Sequence, residues 1–131
     1  MKINPKNGHI TLTEVGNKII TPNMPSARYM ALGFSLNKPD HPTTSGQIRQ
    51  KTLPPITVQF DNGKLNAIFM PVVSHGGYEM YLDQAHGYLE QMGVDAQGYS
   101  WGEVAIDELL ATGEMWIEIQ YYQTPIKEKS R

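Results

Sequence analysis

Alternation of apolar and polar residues dominates two segments of this chain and limits what it can fold into. In residues 56–60 every second residue is apolar, and residues 114–122 follow the same pattern from Met115 to Tyr121. Because successive side chains of a strand point to opposite faces, this pattern predicts strands with one buried face. The two segments are therefore expected in a sheet that is covered on one side.

Turn chemistry connects the first segment to a neighbouring strand. Asn62-Gly63 is typical of a two-residue hairpin turn in which both central residues have a positive φ, so residues 56–60 and 65–70 are expected to pair. The Gly16-Asn17 turn signal predicts an N-terminal hairpin in the same way. Further strands are predicted at residues 8–13, 18–21, 47–52 and 100–107.

The principal helix is predicted over residues 78–92. A stripe of Leu82, Ala85, Leu89 and Met92 recurs at helical spacing, and Gly93 is the expected terminator. A short helix is predicted at about residues 24–32, with Asn23 as its cap and Gly33 at its end. The expected fold class is α+β, a mostly antiparallel sheet with one principal helix packed on one face.

Two segments lack such patterns. Residues 35–55 contain four prolines and form a long connection that could be a binding loop, and residues 74–77 (Ser-His-Gly-Gly) are expected to be a flexible joint. Residues 1–126 are expected to form a single domain, followed by a loose basic tail at residues 127–131.

Charge is distributed very unevenly along the chain. Residues 65–126 contain nine carboxylates and no lysine or arginine, whereas residues 1–64 contain eight basic and three acidic residues. Solvated surfaces usually mix both signs, so the acidic half predicts a basic partner. Nucleic acid is not expected as a partner, because Arg49 and Lys51 are the only close basic pair and the second half would repel phosphate.

Composition narrows the compartment and the chemistry. The 131 residues include no cysteine, which excludes a disulfide framework, a thiol nucleophile and a thiolate metal site. No apolar run reaches the ~20 residues of a membrane span, and the first residues do not resemble a secretory signal. We therefore expect a cytoplasmic protein that does not bind a membrane.

The sequence gives only weak signals for catalytic or metal-binding groups. His75, Glu79, Asp83 and His86 have helical spacing, but Gly76-Gly77 disfavours a helix there, and a solvated surface is the commoner outcome. Carboxylate pairs also occur without any motif that marks an active site. No metal, cofactor or catalytic residue is predicted, although a small enzyme using a carboxylate or His75/His86 stays an alternative.

Aromatic residues among the carboxylates indicate a protein-binding surface. If the last two strands pair, one sheet face would carry both Trp101 and Trp116 ringed by acids, a composition typical of binding hot spots. The alternative is that the tryptophans pack beneath the long helix. The predicted partner-binding residues are Glu79, Asp83, Trp101, Glu103, Asp107, Glu108, Trp116 and Glu118.

Five short pieces of the chain resemble a known group of bacterial proteins. They are Gly-His-Ile-Thr-Leu at 8–12, Ile-Thr-Pro-Asn-Met at 20–24, Phe-Asp-Asn-Gly-Lys-Leu at 60–65, Tyr-Ser-Trp-Gly-Glu-Val at 99–104 and Trp-Ile-Glu-Ile-Gln-Tyr at 116–121. Together they resemble immunity proteins of contact-dependent inhibition and other polymorphic toxin systems.

The resemblance implies a protein that binds and neutralises a cognate toxin domain, and it carries over no site residue. An acidic face would suit a nuclease-type toxin, whose own surface must be basic to bind phosphate. An adaptor for another basic partner is the remaining alternative.

Overall fold

The computed structural model describes residues 1–72, 78–109 and 113–123. The predicted joint at 74–77, the turn before Gly113 and the basic tail at 127–131 lie outside these residues. Nine strands and two helices make up the described part of the chain. In chain order they are β1 (Lys2–Ile3), β2 (Ile10–Leu12), β3 (Lys18–Ile20), α1 (Ser26–Ala31), β4 (Thr44–Ile48), β5 (Ile56–Asp61), β6 (Lys64–Val72), α2 (Tyr78–Met92), β7 (Gly98–Tyr99), β8 (Gly102–Leu109) and β9 (Glu114–Tyr121).

The strands form two antiparallel sheets. A small sheet has the order β1-β2-β3, and a large sheet has the order β4-β5-β6-β9-β8-β7. A single turn of 3-10 helix, Thr13–Val15, lies between β2 and β3. The predicted α+β class, with a mostly antiparallel sheet and one principal helix, is confirmed.

The central hairpin forms as the Asn62-Gly63 turn predicts. Both residues have the positive φ that this turn needs, 55° and 75°. Phe60 then pairs with Leu65 while Gln59 pairs with Ala67, so Asn66 is an extra residue that bulges from β6. The bulge shifts the phase of β6, so that its later residues present Ile68 and Met70 to the core.

One cluster of buried side chains connects the two sheets and both helices. α2 contributes Ala85, Leu89 and Met92 of its predicted apolar stripe, and the fourth stripe residue, Leu82, is partly buried against the same cluster. The small sheet contributes Ile10 and Ile20, and neither is exposed at all. All of these side chains meet the same face of the large sheet, so the core lies on one side of it.

The start of α1 differs from the prediction. The helix begins at Ser26 after an N-cap at Pro25, and no side chain caps it. Asn23 instead has a φ of 60°, and its side-chain amide donates to the carbonyl oxygen of Tyr122 at 2.8 Å. The residue predicted to cap a helix therefore connects two distant parts of the chain.

The proline-rich connection is more ordered than its composition suggests. Its strand is β4, which lies three residues ahead of the start predicted at Gln47 and pairs with β5. Beyond β4, the carboxylate of Glu14 accepts hydrogen bonds from the backbone N–H of Lys51 and from the backbone N–H and hydroxyl of Thr52, the last two at 3.2 and 2.6 Å. The small sheet thus holds this loop in place.

Neither described helix combines the length and the apolar character that crossing a membrane requires.

Candidate protein-binding face

The face of the large sheet opposite the core is built from the alternate residues of its central strands. In β9 the residues of this face are Trp116, Glu118 and Gln120, because Met115, Ile117, Ile119 and Tyr121 are buried on the core side. In β8 the cross-strand partners on this face are Asp107 opposite Trp116, Ala105 opposite Glu118, and Glu103 opposite Gln120. In β6, Phe69 lies opposite Glu118 and Pro71 opposite Trp116.

We call this surface the open face. It is defined by three acidic residues and three apolar ones: Glu103, Asp107, Glu118, Phe69, Pro71 and Trp116.

The three carboxyl groups of the open face lie close together. Glu103, Asp107 and Glu118 border one small depression of about 240 Å³, together with Ala105 and Gln120. No lysine or arginine occurs anywhere in the segment that supplies β8 and β9. The depression is therefore a concentrated negative site on a sheet surface.

Glu118 is the most perturbed carboxyl group of this cluster. Its pKa is raised from 4.5 to about 7 by its hydrogen bond to Asp107, by its partial burial and by the nearby charges of Asp107 and Glu103. A hydrogen bond with Trp116 lowers the pKa and offsets part of this rise. Two carboxyl groups can hydrogen-bond to each other only when one of them holds a proton. With a pKa of about 7, Glu118 holds this proton in about half of the molecules at pH 7.

Apolar side chains lie directly beside the acids. Phe69 and Trp116 are half-buried on the open face, and Pro71 is exposed. Aromatic rings partly supported by their neighbours give contact area with little loss of side-chain entropy on binding, and the acids beside them can select a basic partner. The open face therefore combines an apolar anchor with a negative site.

The structure brings together four of the eight predicted partner-binding residues: Glu103, Asp107, Trp116 and Glu118. Glu108 is exposed but lies on the other side of β8 from the open face, opposite Met115 of β9. Asp83 is exposed on α2, which packs on the core side of the sheet. The side chain of Glu79, like His75, lies outside the described residues.

The prediction that Trp101 shares this face with Trp116 is wrong. Trp101 is only 8% exposed, because β7 and β8 form a tight pair and Trp101 falls in the turn between them. Its ring stacks on Tyr99 with centroids 5.0 Å apart, and its Nε1 donates to the carbonyl oxygen of Pro5 at 2.9 Å. Trp101 thus fastens the N-terminal segment to the edge of the large sheet.

Sequence reasoning missed Phe69 and Pro71. In residues 65–71, apolar residues occupy both sets of alternate positions, so the sequence does not show which set faces the core. One set contains Leu65, Ala67 and Phe69, and the other contains Ile68 and Met70. The bulge at Asn66 determines which residues of β6 face the core, and nothing in the local sequence predicts this bulge.

The described residues show no metal centre. Within residues 1–72, 78–109 and 113–123, no three histidine, aspartate or glutamate side chains are grouped so that they could hold an ion.

Comparison with protein-family models, with curated proteins and with solved structures finds no match to this chain.

Proposed function

We propose that this protein is a binding protein that holds a basic protein partner against its open face. The observation that carries the proposal is the position of Trp116. It is half-buried on a sheet surface that no described helix or strand covers, hydrogen-bonded to Glu118 and directly opposite Asp107. A ring so placed offers an apolar contact beside a negative site, which is how lysine- and arginine-rich surfaces are recognised.

The shape of the open face favours a macromolecule over a small substrate. Its depression holds only about 240 Å³, which is less than the roughly 300–1,000 Å³ of most small-molecule sites. A flat patch that mixes aromatic and charged side chains is typical of a protein–protein interface.

We further propose that the partner is a toxin domain and that the protein acts as its immunity protein. Two features support this role: the resemblance of the five sequence pieces, and the match between an acidic surface and a toxin that must itself bind phosphate. Long-range attraction between the acidic face and a basic toxin would speed their association. Fast association lets the protein neutralise the toxin before the toxin damages the cell.

The test is a titration against the C-terminal domain of any polymorphic toxin encoded beside its gene, at increasing salt concentration. We expect a one-to-one complex whose affinity falls as salt rises, and loss of toxin activity at one equivalent of protein. A toxin that keeps full activity at excess protein and low salt would overturn the proposal.

A small hydrolase is the second candidate, and the hydrogen-bonded pair of Asp107 and Glu118 is the observation that favours it. A carboxyl group with a pKa of about 7 beside a second carboxyl group is suited to general acid–base catalysis. The same titration separates the candidates: an inhibitor abolishes toxin activity at one equivalent, whereas a hydrolase with a substrate of its own leaves the toxin active.

A further inference from the structure

A second cleft in the described structure lies away from the open face and shares no lining residue with it. Its volume is about 600 Å³, within the range of small-molecule sites. It is lined by the segment before β2, the segment before α1, α1 itself and the chain at the ends of β8 and β9. The lining residues used below are Asn7, His9, Asn23, Arg28, Trp101 and Tyr122.

The walls of the cleft are held rigidly by hydrogen bonds. His9 donates its backbone N–H to the Asn7 side-chain oxygen at 3.0 Å, and the Asn23 side chain reaches the Tyr122 carbonyl. The backbone N–H of Tyr122 donates to the carbonyl oxygen of Trp101 at 3.1 Å. The cleft is therefore formed before any ligand arrives.

Gly8 packs tightly against Trp101, a lining residue of the cleft. A Cβ atom at Gly8 would lie 2.5 Å from the Trp101 ring, so this position accepts no side chain while the ring keeps its place. The hydroxyl of the buried Tyr121 donates to the Gly8 carbonyl oxygen at 3.0 Å. The indole is thus clamped between the N-terminal segment and β9.

The charge of the cleft is opposite to that of the open face. Its described lining residues include the guanidinium of Arg28 and the imidazole of His9, and none of them is a carboxylate. Arg28 is exposed and has no ion-pair or side-chain hydrogen-bond partner among the described residues. A guanidinium with free donors next to amide and imidazole groups is suited to a phosphate or a carboxylate.

The aromatic lining indicates what else the ligand carries. Tyr122 is 52% exposed, which is unusual for a large aromatic side chain, and the edge of Trp101 lies in the same cleft. These rings offer an apolar, flat surface beside the cationic group. We propose that this cleft binds a small organic anion, a planar ring bearing a phosphate or a carboxylate, with Arg28 holding the anionic group and Tyr122 contacting the ring.

The experiment is a titration of the full-length protein followed by ¹H–¹⁵N NMR, which resolves the Trp101 indole and the Asn7 and Asn23 side-chain amides. The probes are phenyl phosphate and benzoate, with benzyl alcohol and benzylamine as neutral and cationic controls of similar size. We expect saturable shifts at these three residues with one or both anions, and the tighter of the two identifies the anionic group. Shifts of equal size with benzylamine, or no shifts with either anion, would overturn the proposal.

Variants at Arg28 locate the anion. Arg28→Gln should weaken binding about tenfold, and Arg28→Lys should weaken it less, since it keeps the charge but loses the paired donors. Arg49→Gln is the matched control, because Arg49 is also exposed but lines a different depression. Equal affinity for the Arg28→Gln and Arg49→Gln variants would also overturn the proposal.

Discussion

At the scale of single residues, two buried tyrosines differ in whether their hydroxyl groups are satisfied. Tyr121 donates to the Gly8 carbonyl oxygen, whereas the Tyr29 hydroxyl has no hydrogen-bond partner in the described structure. Burial raises the pKa of Tyr29 to about 12, so it stays neutral at all physiological pH values. Tyr29 contributes through its ring, which packs against Phe34 and Phe60.

These two tyrosines give a matched pair of stability predictions. Tyr29→Phe should leave the free energy of unfolding unchanged or raise it by up to about 1 kcal/mol, because it removes an unsatisfied polar group. Tyr121→Phe should lower it by about 1–2 kcal/mol, because the Gly8 carbonyl loses its donor. Urea denaturation of both variants measures the difference, and equal losses would show that the Tyr29 hydroxyl is satisfied after all.

Glu118 predicts how stability depends on pH. Its folded pKa of about 7 lies above the ordinary 4.5, so the folded state binds this proton more tightly than the unfolded chain does. The stabilising contribution is complete below pH 4.5 and is lost as the pH rises toward 7. Glu118→Gln should therefore flatten the fall in stability between about pH 4.5 and pH 7, measured by urea denaturation across that range.

Glu108→Gln is the control for this experiment, since it removes one carboxylate from the other phase of β8. If it flattens the profile as much as Glu118→Gln does, the effect is one of net charge and the pairing of Glu118 with Asp107 is not its cause.

Single residues also show which positions the alternation pattern could predict and which it could not. Alternation placed Trp116 and Glu118 correctly, because both lie well inside a regular strand. It misplaced Trp101, since a residue in a turn does not follow the phase of the strand after it. The hydrogen bond between Glu118 and Asp107 depends on cross-strand register, which no local pattern specifies.

At the scale of secondary structure, the clamp between Glu14 and the loop after β4 is the contact that orders the proline-rich connection. Hydrogen bonds from the Lys51 backbone and from Thr52 lower the pKa of Glu14 below its ordinary 4.5. A lowered pKa means that the clamp stabilises the fold above pH 4.5 and weakens as the pH falls below that value.

Removing this carboxylate should release the loop. In Glu14→Gln at neutral pH, the amides of Lys51 and Thr52 should exchange with solvent faster than in the unaltered protein, because a single amide oxygen cannot satisfy three donors. The stability difference between the two proteins should shrink as the pH falls below 4.5. Glu90→Gln, an exposed change on α2, controls for charge, and unchanged exchange at Lys51 and Thr52 in Glu14→Gln would contradict the clamp.

The elements that could be predicted share one property: their signals are local. The α2 stripe, the Asn62-Gly63 turn and the β9 alternation each lie within a few residues, and all three were confirmed. β1 and β7 were missed because each has two residues and depends on a partner strand. β4 was misplaced because its position depends on contacts with distant residues. It pairs with β5, and the Ser45 carbonyl oxygen accepts a hydrogen bond from the backbone N–H of Asn37.

At the scale of the whole molecule, the uneven charge of the chain becomes two surfaces of opposite character. The acidic half supplies β8 and β9 and thereby the negative cluster of the open face, while α1 and the segment before β2 carry Arg28 and His9 into the cleft. A net charge of −2 hides this separation. Partners of opposite charge could occupy the two surfaces without competing for the same residues.

The measurement that tests the central claim most directly compares two triple variants, each of which replaces three acidic residues. Glu103→Gln, Asp107→Asn and Glu118→Gln together neutralise the open face. Asp83→Asn, Glu90→Gln and Glu108→Gln together neutralise exposed carboxylates on α2 and on the other phase of β8. Association with the toxin domain is followed by stopped-flow fluorescence at low salt.

If the open face is the docking surface, the first variant should associate at least about tenfold more slowly than the unaltered protein, with a flatter dependence on salt, while the second changes little. Equal slowing of the two variants would contradict a localised acidic docking face, and slowing of the second variant alone would place the interface on the helix side of the molecule.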